Sequence, residues 1–242
     1  MTTLPLRAGA ETIETEPGVT LPLRKVSAAA VAPPSGILVV LGADPVLDVT
    51  AWAAAKPTWS VLCLEPRGIG TTQWPAASTV SCEDYLLAQG SAVLGRPMLG
   101  QWAGDVLRTV EHLARQHPGA RLALYGEGVL ALAAILAGAL DDRIAAVGAA
   151  DFLASYVWPD RFADQVGLTT FVPGVLRLGD VADWCGALAG RRLVISRPRN
   201  GAWTPLGPGD LASFVRDVEA GGAKVHAVAT DRKDAFERLM AP

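Results

Sequence analysis

Apolar residues along the chain come in two rhythms. Short runs of four to seven recur between polar or glycine-rich breaks: Ile37–Leu41 (ILVVL), Trp59–Leu64 (WSVLCL), Leu122–Tyr125 (LALY), Ile144–Ala150 (IAAVGAA), Arg192–Ser196 (RLVIS) and Lys224–Ala229 (KVHAVA). Runs of this length, rich in β-branched residues, read as strands buried on both faces. Between them the period changes to three or four. Leu99, Trp102, Val106, Val110 and Leu113 fall on one face of a helix over Met98–Gln116, which Pro118-Gly119 ends. Val129–Leu140 (VLALAAILAGAL) is apolar all round and reads as a core helix, and Asp210–Ala220 and Asp231–Leu239 read as later helices, the first with Asp210 as its N-cap. Two weaker helical stretches, Val46–Ala55 and Cys82–Gln89, lie in less regular sequence.

Strands alternating with helices predict an α/β fold with a mostly parallel sheet covered on both faces. Residues 1–35 are expected to add a leader or edge strands to the same domain, with Leu21–Ala29 at an edge because it contains Pro22. Residues 36–242 form the body of a single domain. Residues 151–185 hold six aromatics and two prolines without a sustained period, and read as a reduced lid or a set of short helices.

The stretch Arg121–Ala134 (RLALYGEGVLALAA) organises the rest. A buried strand runs into Gly126-Glu127-Gly128, and an apolar helix follows at once. That is the local pattern of a nucleophile elbow, G-x-S-x-G, in which a serine sits on the tight turn and the helix N-terminus helps hold an oxyanion. Laid on this chain, Gly126 takes the first glycine, Gly128 the serine and Leu130 the last glycine. A dinucleotide reading of Gly126-x-Gly128 with Ala131 is weaker, since that motif belongs on the first strand of its unit and here strands precede it.

The order of the motifs resembles the α/β-hydrolase superfamily. ILVVLGAD (37–44) is similar to its first central strand and oxyanion loop, and SVLCLEPRGIGTT (60–72) to the strand with a D-x-R-G-x-G-x-S turn. Three segments, EPRGIGTTQW (65–74), RPMLGQWAGDVLRTVEHLA (96–114) and ALDDRIAAVGAADFLASY (139–156), most resemble the acetyl xylan esterase and cephalosporin deacetylase-like group. The resemblance implies an α/β-hydrolase-like fold and a triad in the chain order Ser, Asp or Glu, His. The triad positions here are degenerate. Gly128 stands for the nucleophile, Asn200 in the turn Arg197-Pro198-Arg199-Asn200-Gly201 is the nearest residue to the acid, and Lys233 occupies the loop where the histidine belongs. His226 falls within the last strand, and His112 and His117 lie before the elbow. Ester hydrolysis without nucleophile and base falls to the residual effect of binding and the oxyanion hole.

Three roles stay open on the residues: a non-hydrolytic protein binding a small apolar or acyl-type ligand or a protein partner, a carboxylic-ester hydrolase with an unorthodox site, and an acid–base enzyme reusing the pocket. Glu127, beside the vacant position at a helix N-terminus, is the candidate acid or base, although the same residue also reads as a solvated elbow side chain. Candidate ligand-binding residues are Gly42, Ala43 and Asp44 in the oxyanion loop, Gly128 and Val129 at the elbow, Asp151 after the following strand, and Trp158 and Trp203 in loops bordering the pocket. The N–H groups of Val129 and of a residue in Gly42–Asp44 are expected to face one cavity.

Composition narrows the partners. A net charge of −3 and a pI near 5.6 leave no basic footprint for nucleic acid or membrane surfaces. No cofactor motif and no metal-ligand spacing stands out. Cys63, Cys82 and Cys185 are scattered and read as reduced thiols of a cytoplasmic protein. The opening MTTLPLRAGA lacks a charged segment followed by an apolar one, and no run is long enough to span a bilayer.

Overall fold

A computed structural model describes residues 10–29, 33–42, 56–73, 83–229 and 231–241. Among the described residues eight strands form one sheet: β1 (Ala10–Glu16), β2 (Val19–Ser27), β3 (Gly36–Leu41), β4 (Trp59–Leu64), β5 (Arg121–Glu127), β6 (Ile144–Ala150), β7 (Arg192–Ser196) and β8 (Val225–Val228). Their spatial order is β1-β2-β4-β3-β5-β6-β7-β8. From β4 to β8 all neighbours run parallel, while β1 and β2 form an antiparallel hairpin through Pro17-Gly18 and join the sheet beside β4. The predicted strands Trp59–Leu64, Ile144–Ala150 and Arg192–Ser196 have those bounds in the structure, and β5 runs two residues further than the apolar run.

Among the described residues the helices are α1 (Glu83–Val93), α2 (Met98–Gln116), α3 (Val129–Leu140), α4 (Val181–Gly186), α5 (Pro208–Ala220) and α6 (Arg232–Leu239). Alternation along the strands divides the core. Ile37, Val39, Leu122 and Leu124 face one side with α2 to α5, and Leu38, Val40, Ala123 and Tyr125 face the other with Phe236 and Leu239 of α6. Each buried leucine or valine contributes about 1.5–3 kcal/mol by leaving water. α3 is apolar all round because it lies between the sheet and α2 and α4. Three short 3-10 turns, Asp164–Val166, Leu168–Thr170 and Val175–Arg177, precede α4, so the 151–185 stretch is a chain of short turns.

Two local expectations are corrected. β2 is interior, flanked by β1 and β4, although it contains Pro22. In an extended strand a residue's N–H and C=O point the same way. The Pro22 carbonyl accepts from Glu65 N–H at 3.2 Å, one residue beyond the last residue of β4, so the missing donor falls where that strand has already ended. Asp210 is not the N-cap of α5. The helix starts at Pro208 after Gly207, because proline is preorganised for a first helical position, and Asp210 sits inside the first turn. The expected helix Val46–Ala55, together with Ala43, Asp44, Trp74 and Cys82, lies outside the described residues. No described helix is long and apolar enough to cross a membrane.

Candidate functional site

β5 ends in an elbow. Gly126 must be glycine: a Cβ there would lie 2.4 Å from the Leu130 carbonyl oxygen and 2.7 Å from Ala131 N, so strand and helix meet backbone to backbone. Gly128 then takes φ 59° and ψ −131°, a conformation that costs a side-chain-bearing residue about 1–3 kcal/mol. Its N–H donates to Ala150 O at 2.9 Å, and α3 begins at the next residue. A Cβ at Gly128 would meet nothing within 4 Å. The tip therefore has the backbone of a nucleophile elbow and open space where the nucleophile would project. The N–H groups of Val129 and Leu130 open α3 without an intrahelical acceptor, while Ala131 N–H donates to the Gly128 carbonyl at 3.2 Å.

The neighbouring strand ends carry the charge. Asp151, just past β6, has φ 50°, and Arg197, just past β7, has φ 46°. Arg197 donates to both oxygens of Asp151, with Nε at 3.1 Å from each. Arg199 adds a second fork, its Nε 2.8 Å from Oδ1. The same arginine donates from Nη1 to the Trp203 carbonyl at 2.8 Å and stands 5.5 Å over the Trp203 ring. Trp203 is itself left-handed, with φ 61°. Three non-glycine residues thus share an unfavourable backbone region within one ion-paired cluster, a concentration of strain typical of functional edges. Glu127 accepts from the Tyr125 hydroxyl at 2.7 Å, and its charge reaches Arg197.

Burial pushes the Asp151 carboxyl upward, but the hydrogen bonds from Arg197 and Arg199 outweigh it and hold the group below the usual carboxylate range. Asp151 is thus a fixed anion, poorly suited to take up and release protons near neutrality. Its depressed folded pKa means that its pairing stabilises the fold above the unfolded carboxylate value and is lost as pH falls through the folded one. In melting scans from about pH 6 to about pH 3, the wild type should lose more stability than Asp151→Asn. Equal acid sensitivity of the two proteins would show that the clamp contributes nothing.

The remaining sequence-derived positions divide. Asn200 lies on the loop after β7, but its Oδ1 accepts from Ala202 N–H (3.0 Å) and Thr204 N–H (3.1 Å), which closes its own turn. Lys233 is exposed in the first turn of α6, whose N-cap is Asp231. His226 stays on β8, its Nδ1 2.9 Å from the Lys224 carbonyl. Gly42, just past β3, donates its N–H to Leu64 O at 3.0 Å, so that group is not free to hold an oxyanion. Trp158 packs its ring on Gly201, where a Cβ would come within 2.3 Å of it. The Trp158 indole nitrogen and the Ser196 hydroxyl are buried polar atoms with no partner among the described residues.

The Arg197–Asp151–Arg199 clamp is what sequence reading missed. The available signal was two arginines, i and i+2, on the strand end next to that of Asp151. Nearby, Glu65 at the end of β4 is buried, and its Oε2 accepts from Thr71 N–H (2.8 Å) and Thr71 Oγ (2.6 Å), which fixes the Arg67–Gly70 turn. Cys63 and Cys185 are buried thiols outside any disulfide, and the Cys63 thiol donates to the Gly42 carbonyl at 3.0 Å. No group of three or more metal-ligating side chains occurs among the described residues.

The chain has the α/β-hydrolase fold. It superposes on a Bacteroides fragilis protein provisionally assigned as an acetyl xylan esterase with a TM-score of 0.64, at 13% identity, over 92% of this chain and 67% of that one. An acylaminoacyl peptidase from Pyrococcus horikoshii gives 0.60 at 15% identity over 92% of this chain, which spans only 36% of the peptidase. A Pyrococcus furiosus esterase gives 0.55 at 12% identity, covering 91% and 82%. No family model matches the chain, and no curated protein sequence does either.

Proposed function

We propose that the chain is a non-hydrolytic α/β-hydrolase-fold protein that binds a small molecule with a carbonyl or carboxylate group at the carboxyl edge around Gly128. The observation that carries this reading is the elbow tip. A serine nucleophile there is held at the cost of backbone strain, because function requires it. With glycine the strain is relieved and the nucleophile is gone, while the N–H groups at the start of α3 and the open space remain. The ligand group would accept from those N–H groups, where the helix end favours negative charge. The acid and base positions support the same conclusion. Asn200 is engaged in its own turn, Lys233 is exposed on a helix, and the one carboxylate on the adjoining strand end is clamped by two arginines. The resemblance to acetyl xylan esterases and the esterase and peptidase neighbours supports an acyl-type ligand. No metal or cofactor is part of this reading.

The experiment is a p-nitrophenyl acetate assay with fluorophosphonate labelling, on the wild type and on Gly128→Ser. Both proteins should release p-nitrophenol at the background rate, since a serine hydroxyl is a poor nucleophile without a positioned base. The wild type should take up no label, and Gly128→Ser should lose about 1–3 kcal/mol of stability through restored strain. Turnover or labelling of the wild type would overturn the proposal. A burst from Gly128→Ser alone would show that a base is already in place.

A further inference from the structure

The β1 end of the sheet holds a second feature that the elbow does not use. β1 is an edge of the sheet and, among the described residues, pairs only with β2. Beside its outer edge runs a cleft of about 450 Å³, bounded by Thr12–Pro17 and by one face of α2, Arg108, Glu111, His112 and Arg115. α2 runs antiparallel to β1: Glu11 meets His112 Nε2 at 2.9 Å and Gln116 Nε2 at 3.0 Å, and Thr15 Oγ donates to Asp105 at 2.9 Å. The helix wall carries Arg108 and Arg115, whose side chains are 62% and 70% exposed, against the single carboxylate of Glu111. The strand wall carries Glu11, Thr12 and Glu14 on the surface. One groove therefore presents a basic helix face beside an acidic strand.

We infer that this edge is a self-association surface, on which a second copy of the chain adds its own β1 antiparallel across a two-fold axis at Thr12. Such an interface is self-complementary, each residue meeting its counterpart's partner in turn. The regular part of β1 sets the register, because a bulge between Glu14 and Glu16 ends it. With Thr12 on the axis, Thr12 faces Thr12, Glu11 faces Ile13 and Ala10 faces Glu14. No two glutamates oppose each other, and the central threonine pair is a favourable cross-strand pair. Glutamates on a lone edge discourage indiscriminate pairing; here they select one register.

The helix supplies the charge match. Ile13 lies two residues past Glu11, about 6.6 Å along the strand. That distance equals about four to five helix residues counted back from His112, which is the turn of Arg108. Glu11 of the second copy, opposite Ile13, therefore arrives beside Arg108, and the two-fold axis forms the same pair again. The two sheets then continue as one through both copies.

Sedimentation equilibrium of the full chain tests this. The wild type should show twice the 25.2 kDa chain mass at about 100 µM. Thr12→Lys should be monomeric, since two ammonium groups would face each other on the axis, whereas Thr12→Val should keep the dimer. Arg108→Glu should weaken association about tenfold, because two equivalent pairs are lost. Adding Glu11→Arg to it should restore association. Circular dichroism matching the wild type confirms that each variant is folded. A monomeric wild type, or a Thr12→Lys protein that stays dimeric, overturns the assignment, and so does a double variant that fails to recover.

Discussion

Replacing Asp105 by alanine should lower the stability of the protein by about 3–4 kcal/mol, because it leaves a largely buried cation without its main partner. Asp105 is completely buried in the middle of α2, and its carboxylate accepts from four donor atoms, one of them Arg67 Nη2 at 2.5 Å. Arg67 donates through its guanidinium, with Nε at 3.0 Å and 3.2 Å, and through its backbone N–H at 3.2 Å, and Thr15 donates through Oγ at 2.9 Å. The hydrogen bonds that Arg67 donates to Asp105 raise the Arg67 pKa against the opposing effect of burial. Around this pair Gln101 and Glu16 take the other Arg67 nitrogens, at 2.9 Å and 2.8 Å, and Trp102 Nε1 donates to the Arg67 carbonyl at 2.7 Å. One carboxylate thus ties the hairpin β1–β2, the turn after β4 and α2 together. In a chain of this size the loss should appear as a fall in melting temperature on the order of 10 °C. Asp105→Asn, which keeps the shape and part of the hydrogen bonding, should cost less. A loss below about 1 kcal/mol for alanine would mean that Glu16 and Gln101 are sufficient partners for Arg67.

The second large effect is expected at Gly126. Gly126→Ala inserts a methyl group against the Leu130 carbonyl and Ala131 N, which are backbone atoms of the first turn of α3 and cannot rotate aside. Strand and helix must move apart, a cost of about 3 kcal/mol or more. Gly128→Ala, two residues on, meets no atom within 4 Å and bears only the strain of its backbone conformation, about 1–3 kcal/mol. Chemical denaturation of the two variants should therefore rank Gly126→Ala as the more damaging. The reverse order would place the tight contact elsewhere and remove the structural basis of the elbow.

Much of the architecture is legible in the sequence, because periodicity reports burial and burial is largely local. The bounds of α2, α3, β4, β6 and β7 follow from apolar period and punctuation alone. The elbow is legible as well, since a strand, two glycines and an apolar helix are consecutive. The helix starts at α5 and α6 depend on capping chemistry, and there the reading shifts by one or two residues: Pro208 moves one start earlier, and Asp231 caps the other.

What only the tertiary structure decided is which strand ends stand side by side. Nothing in β2 announces that a further strand will cover it, so Pro22 reads as an edge residue until the hairpin with β1 is seen. Asp151 and its two arginines are 46 and 48 residues apart, and Thr15 and Asp105 are 90 apart. Periodicity cannot report such pairs, because they depend on the order of the crossovers, which sets β6 beside β7 and β1 beneath α2. The sequence by itself determined that a glycine stands at position 128, between the strand and the apolar helix. That the adjoining strand end holds a clamped carboxylate rather than a free one was decided by strand adjacency, because an ion pair forms only where the sheet brings its members within reach.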